Sequence, residues 1–81
     1  MITINAEDFA NLEPEQKRQY RAAANFFKLA KATTDLFKKR ELLIQGRGHL
    51  TEVGDTRRIE LVDTEIASVS EALTATLAPE S

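Results

Sequence analysis

The sequence predicts a small α+β protein in which a long N-terminal amphipathic helix, a two-stranded antiparallel hairpin and a C-terminal helix follow one another. Three observations support this fold class. No glycine or proline lies between Pro14 and Arg40, a Gly-Asp pair separates two short strand-like runs, and apolar residues recur at helical spacing near the C-terminus. The 81 residues have room for one domain, residues 1–81.

The first predicted elements are an acidic N-terminal arm, residues 1–12, and a helical segment, residues 14–45. Pro14 suits the first position of a helix because its missing N–H would have no partner there. Residues 33–35, Thr-Thr-Asp, could instead cap a second helix, so the continuity of this segment stays open. At 100° per residue, one face of the segment collects Ala22, Ala23, Phe26, Leu29, Ala30, Phe37 and Ile44.

A β-hairpin is predicted over residues 49–62. Residues 45–48, Gln-Gly-Arg-Gly, are expected to end the preceding helix. Gly54 and Asp55 fit the two central positions of a primed turn. The resulting register pairs His49 with Glu60, which is a structural use for the single histidine.

The last predicted element is a helix over residues 64–78. Asp63 or Thr64 can cap its start, and Pro79 lies beyond its end. Its apolar stripe consists of Ile66, Val69, Leu73 and Leu77. Because an isolated hairpin is only marginally stable, both helices are expected to cover the hairpin's apolar face.

Positive and negative charges are segregated along the chain, although the net charge is only −2. Residues 1–15 carry four acids and no basic residue, residues 16–40 carry eight basic residues against one acid, and residues 41–81 carry eight acids against three arginines. These segments can neutralise one another within the fold, which is the first expectation for so small a domain, or they can steer a partner.

Residue types that build catalytic or metal sites are scarce. The chain has no cysteine and one histidine, His49, and its carboxylates lack the spacing of a metal site or of an acid–base pair. We therefore predict no catalytic residues, no metal ion, no cofactor and no enzymatic activity. No apolar run is long enough to cross a bilayer, and the N-terminus lacks a signal-peptide pattern, which together predict a cytoplasmic protein without membrane association.

The basic face of the first helix is the main candidate for binding. It can be a solvated face, a protein-binding face or a nucleic-acid-binding face, and nucleic acid is the least expected because the aromatic residues point mainly towards the apolar face. Phe26 is assigned to the core, whereas its neighbour Phe27 is predicted to be partly exposed and able to anchor a partner. The candidate partner-binding residues are Lys17, Arg21, Phe27, Lys28, Lys31, Lys38, Lys39, Arg57 and Arg58.

A set of residues between positions 46 and 73 resembles a known family. The chain is similar to the W-type head–tail joining proteins of tailed phages at Gly46-Arg47, at Thr51, in the run Asp-Thr-Arg-Arg-Ile-Glu-Leu of residues 55–61 and in Thr-Glu-Ile of residues 64–66. The resemblance implies a helix–hairpin–helix fold and a head-completion adaptor without enzymatic activity. It also implies portal, connector or tail proteins as partners, a possible homo-oligomer, and a location in the virion or the host cytoplasm.

Two other functions stay open at this point. The first is a small inhibitor or regulator, of the kind that phages and mobile elements encode, which would act by binding a host protein. The second, less expected, is a nucleic-acid-binding regulator that uses the basic face of the first helix.

Overall fold

The computed structural model describes residues 6–77, which form four helices. Helix α1 spans Ala6–Ala10, α2 spans Pro14–Ala32, α3 spans Leu36–Val53 and α4 spans Thr56–Leu77. No β-strand is present in this part of the chain. The described protein is therefore all-α, and the predicted α+β class is wrong.

The predicted hairpin of residues 49–62 is replaced by the end of α3, a tight turn and the start of α4. Gly54 adopts the left-handed conformation, with φ 70° and ψ 26°, and its N–H donates to the Thr51 carbonyl at 3.0 Å. Asp55 follows, and its carboxylate accepts a hydrogen bond from the backbone N–H of Arg58 at 3.0 Å. Gly54 thus ends one helix and Asp55 caps the next, so the Gly-Asp pair forms a helix–helix turn.

The predicted helical segment of residues 14–45 is divided at residues 33–35. The backbones of Thr33 and Asp35 are extended, and the Asp35 carboxylate accepts a hydrogen bond from the Lys38 N–H at 3.2 Å. The alternative that these residues cap a second helix is therefore confirmed. The prediction that residues 45–48 end a helix is wrong, because they lie inside α3.

The two ends of the chain follow the predictions in part. Within the predicted acidic arm of residues 1–12, α1 packs near α2, and the Arg21 guanidinium lies 5.4 Å from the centre of the Phe9 ring. Residues 1–5 lie outside the described residues. The predicted C-terminal helix of residues 64–78 exists but begins earlier, at Thr56. Residue 78 and the Leu77 side chain lie outside the described part.

Helix α3 is the centre of the fold, because α2 and α4 both pack against it and make few contacts with each other. His49 of α3 stacks on Phe26 of α2, with ring centres 5.5 Å apart, and its Nδ1 lies 2.6 Å from the Gln19 side-chain oxygen. The predicted pairing of His49 with Glu60 is wrong. The buried apolar residues of the described part are Ala23, Phe27, Ala30, Leu43, Leu50, Val62, Val69 and Leu73.

The buried face of α2 differs from the predicted one. Phe27 is buried, with 6% of its surface exposed, whereas Leu29 is 48% exposed. The predicted continuation of this face into α3 is also wrong, because Phe37 and Ile44 are 59% and 42% exposed. The reason is the break at residues 33–35. It lets α3 fold back on α2, where the small side chains of Ala23 and Ala30 permit close packing.

Candidate functional site

A groove of about 430 Å³ lies between α2 and α4, above α3. Its base is formed by Phe27 and Ala30 of α2 and by Leu43 of α3, all of which belong to the core. Its sides are formed by Ala24, Lys28, Lys31, Lys39 and Glu65. We call Lys28, Lys31 and Lys39 the groove lysines.

The groove stays open because of the residues that α2 presents on the side of α4. Beside the buried ring of Phe27, α2 lines the groove with Ala24, Lys28 and Lys31, whose side chains are short or charged. A lysine places its charged end in water, and alanine is too short to reach a neighbouring helix. These side chains offer no large apolar contact to α4. The two helices accordingly make few contacts with each other.

The groove lysines make no ion pair or side-chain hydrogen bond within the described residues. Ion pairs there join Arg18 to Glu15, Arg47 to Asp63 and Arg58 to Asp55. These pairs include one arginine of the basic segment, Arg18, and none of the groove lysines. Glu65 is the one acidic residue that lines the groove, so the groove lining has a net charge of +2.

The structure brings together four of the nine predicted partner-binding residues, namely Phe27 and the groove lysines. Phe27 was predicted as a partly exposed anchor, and this is wrong, because its ring is buried against Gly46 of α3. Sequence reasoning missed four lining residues, Ala24, Ala30, Leu43 and Glu65, as parts of a site. The signal that could have indicated a close helix contact is the frequency of alanine in α2.

The other predicted binding residues lie elsewhere. Lys17 and Arg21 occupy the first half of α2, and Lys38 is exposed in the first turn of α3. Arg57 and Arg58 belong to the first turn of α4. None of these five residues lines the groove.

A polar cluster of Tyr20, Asp55 and Arg58 joins α2 to the turn between α3 and α4. The Tyr20 hydroxyl donates a hydrogen bond to Asp55 Oδ2 at 2.6 Å, and Arg58 Nη1 lies 2.6 Å from the same oxygen. The Arg58 guanidinium also lies 5.8 Å from the centre of the Tyr20 ring. Because Asp55 also caps α4, its carboxylate connects α2, the turn between α3 and α4, and α4 itself.

The cluster shifts the pKa values of two of its members. Partial burial, together with the hydrogen bond to Asp55 and its negative charge, raises the pKa of Tyr20 to about 12. Burial alone would raise the pKa of Asp55, but hydrogen bonds from Tyr20 and Arg58 and the positive charge of Arg58 outweigh it and lower that pKa.

Tyr20 is expected to ionise near pH 12 in the folded protein. It is the only tyrosine and the chain has no tryptophan, so the near-ultraviolet absorbance of phenolate reports this residue alone. The protonated Tyr20 hydroxyl stabilises the folded protein. This contribution is fully present below the ordinary pKa of 10.0 and is lost as the pH rises towards 12. In Asp55→Asn the midpoint is expected to fall towards 10. A wild-type midpoint near 10 would contradict the cluster.

The described residues contain neither a cluster suited to a metal ion nor a helix suited to a membrane. No group of three or more histidine, aspartate or glutamate residues is placed to hold a metal ion. No helix in this part of the chain is long and apolar enough to cross a membrane.

Comparisons with known proteins find no relative. No family model, curated protein or solved structure matches this chain significantly. The resemblance to W-type head–tail joining proteins stays a prediction. The helix–hairpin–helix form that it implied is wrong, because residues 46–73 are helical except at the turn around Gly54 and Asp55.

Proposed function

We propose that the protein is a non-catalytic binding module that holds another protein in the groove between α2 and α4. One observation carries this proposal: three lysines without acidic partners surround a recess whose base is apolar. In protein interfaces, desolvated apolar contacts supply affinity, and charges around them set orientation and the rate of association.

A protein fits this groove better than a nucleic acid does. Nucleic acids need a continuous row of positive charge for phosphates and, when single-stranded, aromatic faces for stacking. Here Phe27 is buried, Phe26 is stacked on His49, and the Glu65 carboxylate would repel a phosphate. The proposed partner is therefore a protein.

We propose head–tail joining as the specific role, with a regulator of a host protein as the alternative. Both roles require the occupation of a protein surface, for which the groove is suited. Support for head–tail joining comes from the residue similarities over 46–73. The predicted hairpin no longer supports this role. The portal, connector and tail proteins are therefore the candidate partners that the experiment must distinguish.

The proposal is tested by amine-reactive cross-linking in cells that produce the protein, followed by mass spectrometry. We expect cross-links from Lys28, Lys31 and Lys39 to one partner protein. The triple variant Lys28→Glu, Lys31→Glu, Lys39→Glu lacks the reactive amines, so its binding is measured by co-purification of the partner without cross-linker. We expect it to lose this partner, because each introduced glutamate would repel the acidic group that the lysine binds.

A matched control reverses three charges outside the groove, of which Lys38 and Arg57 are exposed and Lys17 is half-buried. Lys17→Glu, Lys38→Glu, Arg57→Glu changes the net charge by the same amount and is expected to retain the partner. Cross-links that arise mainly from Lys17 or Lys38, or equal loss of the partner in both variants, would place binding elsewhere and refute the proposal.

A further inference from the structure

We infer that the occupant of the groove is an acidic amphipathic helix of a second protein, with apolar side chains directed at the groove and carboxylates beside them. This inference rests on the proposed function, since it identifies the class of partner that the same groove binds.

The charge of the occupant follows from the lysines. Lys28 and Lys31 are three residues apart on α2, which places them on one side of that helix about one turn apart. Lys39, at the start of α3, supplies a third positive charge to the same groove. An occupant with carboxylates at a spacing of three or four residues can meet these charges, whereas a basic segment would be repelled.

The helical form of the occupant follows from the arrangement of the three long helices. Two helices, α2 and α4, pack on α3 and leave a groove between them, and a helix commonly occupies such a groove by inserting the apolar side chains of one face. The lining of α2 runs from Ala24 to Lys31, which spans eight residues and about 10 Å of helix. The contact therefore involves about two turns of the occupant.

The apolar contacts available to the occupant lie on both sides of the groove. Ala24 is exposed, and the aliphatic parts of the lysine side chains line the side formed by α2. On α4, Leu61 is 50% exposed and lies one turn before Glu65, on the same side of the helix. Leu61 is therefore placed to extend the apolar contact from the groove.

The groove and the helix α4 of a second copy of this chain fit the groove less well than a different protein does. Face-to-face contact of two grooves would bring together two linings that each carry a net charge of +2. The acidic helix of a second copy, α4, has already buried its apolar face through Val62, Val69 and Leu73. It could offer carboxylates such as Glu60 and Glu71 but lacks a free apolar stripe.

The inference is tested with a synthetic peptide and isotope-labelled protein. The probe is a helical peptide with leucine at positions i, i+3, i+4 and i+7, glutamate beside them and alanine elsewhere. Control peptides have the same composition in scrambled order, or lysine in place of glutamate. Binding is followed by fluorescence anisotropy at low salt, and the contact surface is mapped from amide chemical-shift changes.

We expect the acidic peptide to bind and to shift the amide signals of Ala24, Lys31 and Glu65. Its affinity should fall about tenfold or more in Lys28→Glu, Lys31→Glu, Lys39→Glu, and by a much smaller factor in the control variant Lys17→Glu, Lys38→Glu, Arg57→Glu. The lysine-containing peptide should bind the groove variant better than the wild type. The control variant has the same net charge, so this exchange of preference should be larger in the groove variant than in the control. Circular dichroism of both variants tests whether unfolding causes the loss.

Three results would overturn the inference. They are equal binding of the scrambled peptide, equal loss of affinity in the two triple variants, and concentration-dependent self-association that disappears only in the groove variant, which would make a second copy the occupant. If a cellular partner cross-links to the groove lysines but the acidic peptide does not bind, the proposed function holds and only this identification of the partner fails.

Discussion

Gly46→Ala is expected to destabilise the protein by about 1–3 kcal/mol, which is a large part of the stability of so small a domain. An added Cβ would lie 2.6 Å from Cε1 and 2.7 Å from Cζ of the Phe27 ring. The ring is buried between α2 and α3 and has little room to move. The gain in helix propensity, about 1 kcal/mol, offsets part of the cost.

Gly48→Ala is the matched control for this prediction. Gly48 lies two residues later in α3, and a Cβ added there meets nothing within 4 Å. We expect this variant to be more stable than the wild type by about 0.5–1 kcal/mol, because alanine loses less conformational entropy in a helix. Urea unfolding followed by circular dichroism measures both values. Changes of the same sign in the two variants would contradict the packing of Phe27 against Gly46.

A substitution in Phe27 separates a steric effect at Gly46 from other causes. In the background of Gly46→Ala, Phe27→Leu removes the ring atoms that the new Cβ would meet. We expect the double variant to be less destabilised than the sum of the two single variants predicts, because the residues are in direct contact. Simple additivity would show that Gly46 is needed for some other reason.

Asp55→Ala is expected to lower the free energy of unfolding by about 2–3 kcal/mol at neutral pH. The substitution removes the cap of α4 and the acceptor of the Tyr20 hydroxyl and the Arg58 guanidinium. The Asp55 side chain is 11% exposed, so water replaces these contacts poorly. The measurement is urea unfolding followed by circular dichroism.

The loss in Asp55→Ala should depend on pH. The pKa of Asp55 is lower in the folded protein than its ordinary value of 3.8. Its stabilising effect is therefore present above the unfolded-state pKa and is lost as the pH falls through the lower pKa of the folded state. The free energies of unfolding of the wild type and of Asp55→Ala should differ most near neutral pH and least at the most acidic pH.

Two milder substitutions serve as controls for Asp55→Ala. Asp55→Asn retains an oxygen that can cap α4 and should lie between the wild type and the alanine variant. Tyr20→Phe removes one hydrogen bond and should cost about 1 kcal/mol. An alanine variant within about 0.5 kcal/mol of the wild type across this pH range would show that the cluster does not join the helices.

Part of the fold follows from local signals in the sequence. Pro14 begins a helix as predicted, and the capping alternative at residues 33–35 is correct. Val69 and Leu73 of the predicted apolar stripe are buried. These features depend on residues near one another in the chain, for which propensity and capping rules are informative.

A further local signal in the sequence favours a single helix over residues 59–73. Ile59, Val62, Ile66, Val69 and Leu73 are separated by three, four, three and four residues, which is the period of one helix face. This spacing crosses the boundary that the predicted hairpin placed at residues 62–64. The run before it, residues 49–53, is too short for its period to distinguish a strand from a helix, and the Gly-Asp pair suits both kinds of turn.

The amino-acid sequence by itself determined that a helix begins at Pro14, that residues 33–35 can cap a second helix, and that most of the positive charge lies in residues 16–40. Only the tertiary structure decided which side of α2 is buried, and hence that Phe27 enters the core while Lys28 and Lys31 share a groove with Lys39 and Glu65. The physical reason is that helical periodicity allows several neighbouring faces of an alanine-rich helix to be buried. The choice among them depends on the contact with α3, where Gly46 leaves space for the Phe27 ring.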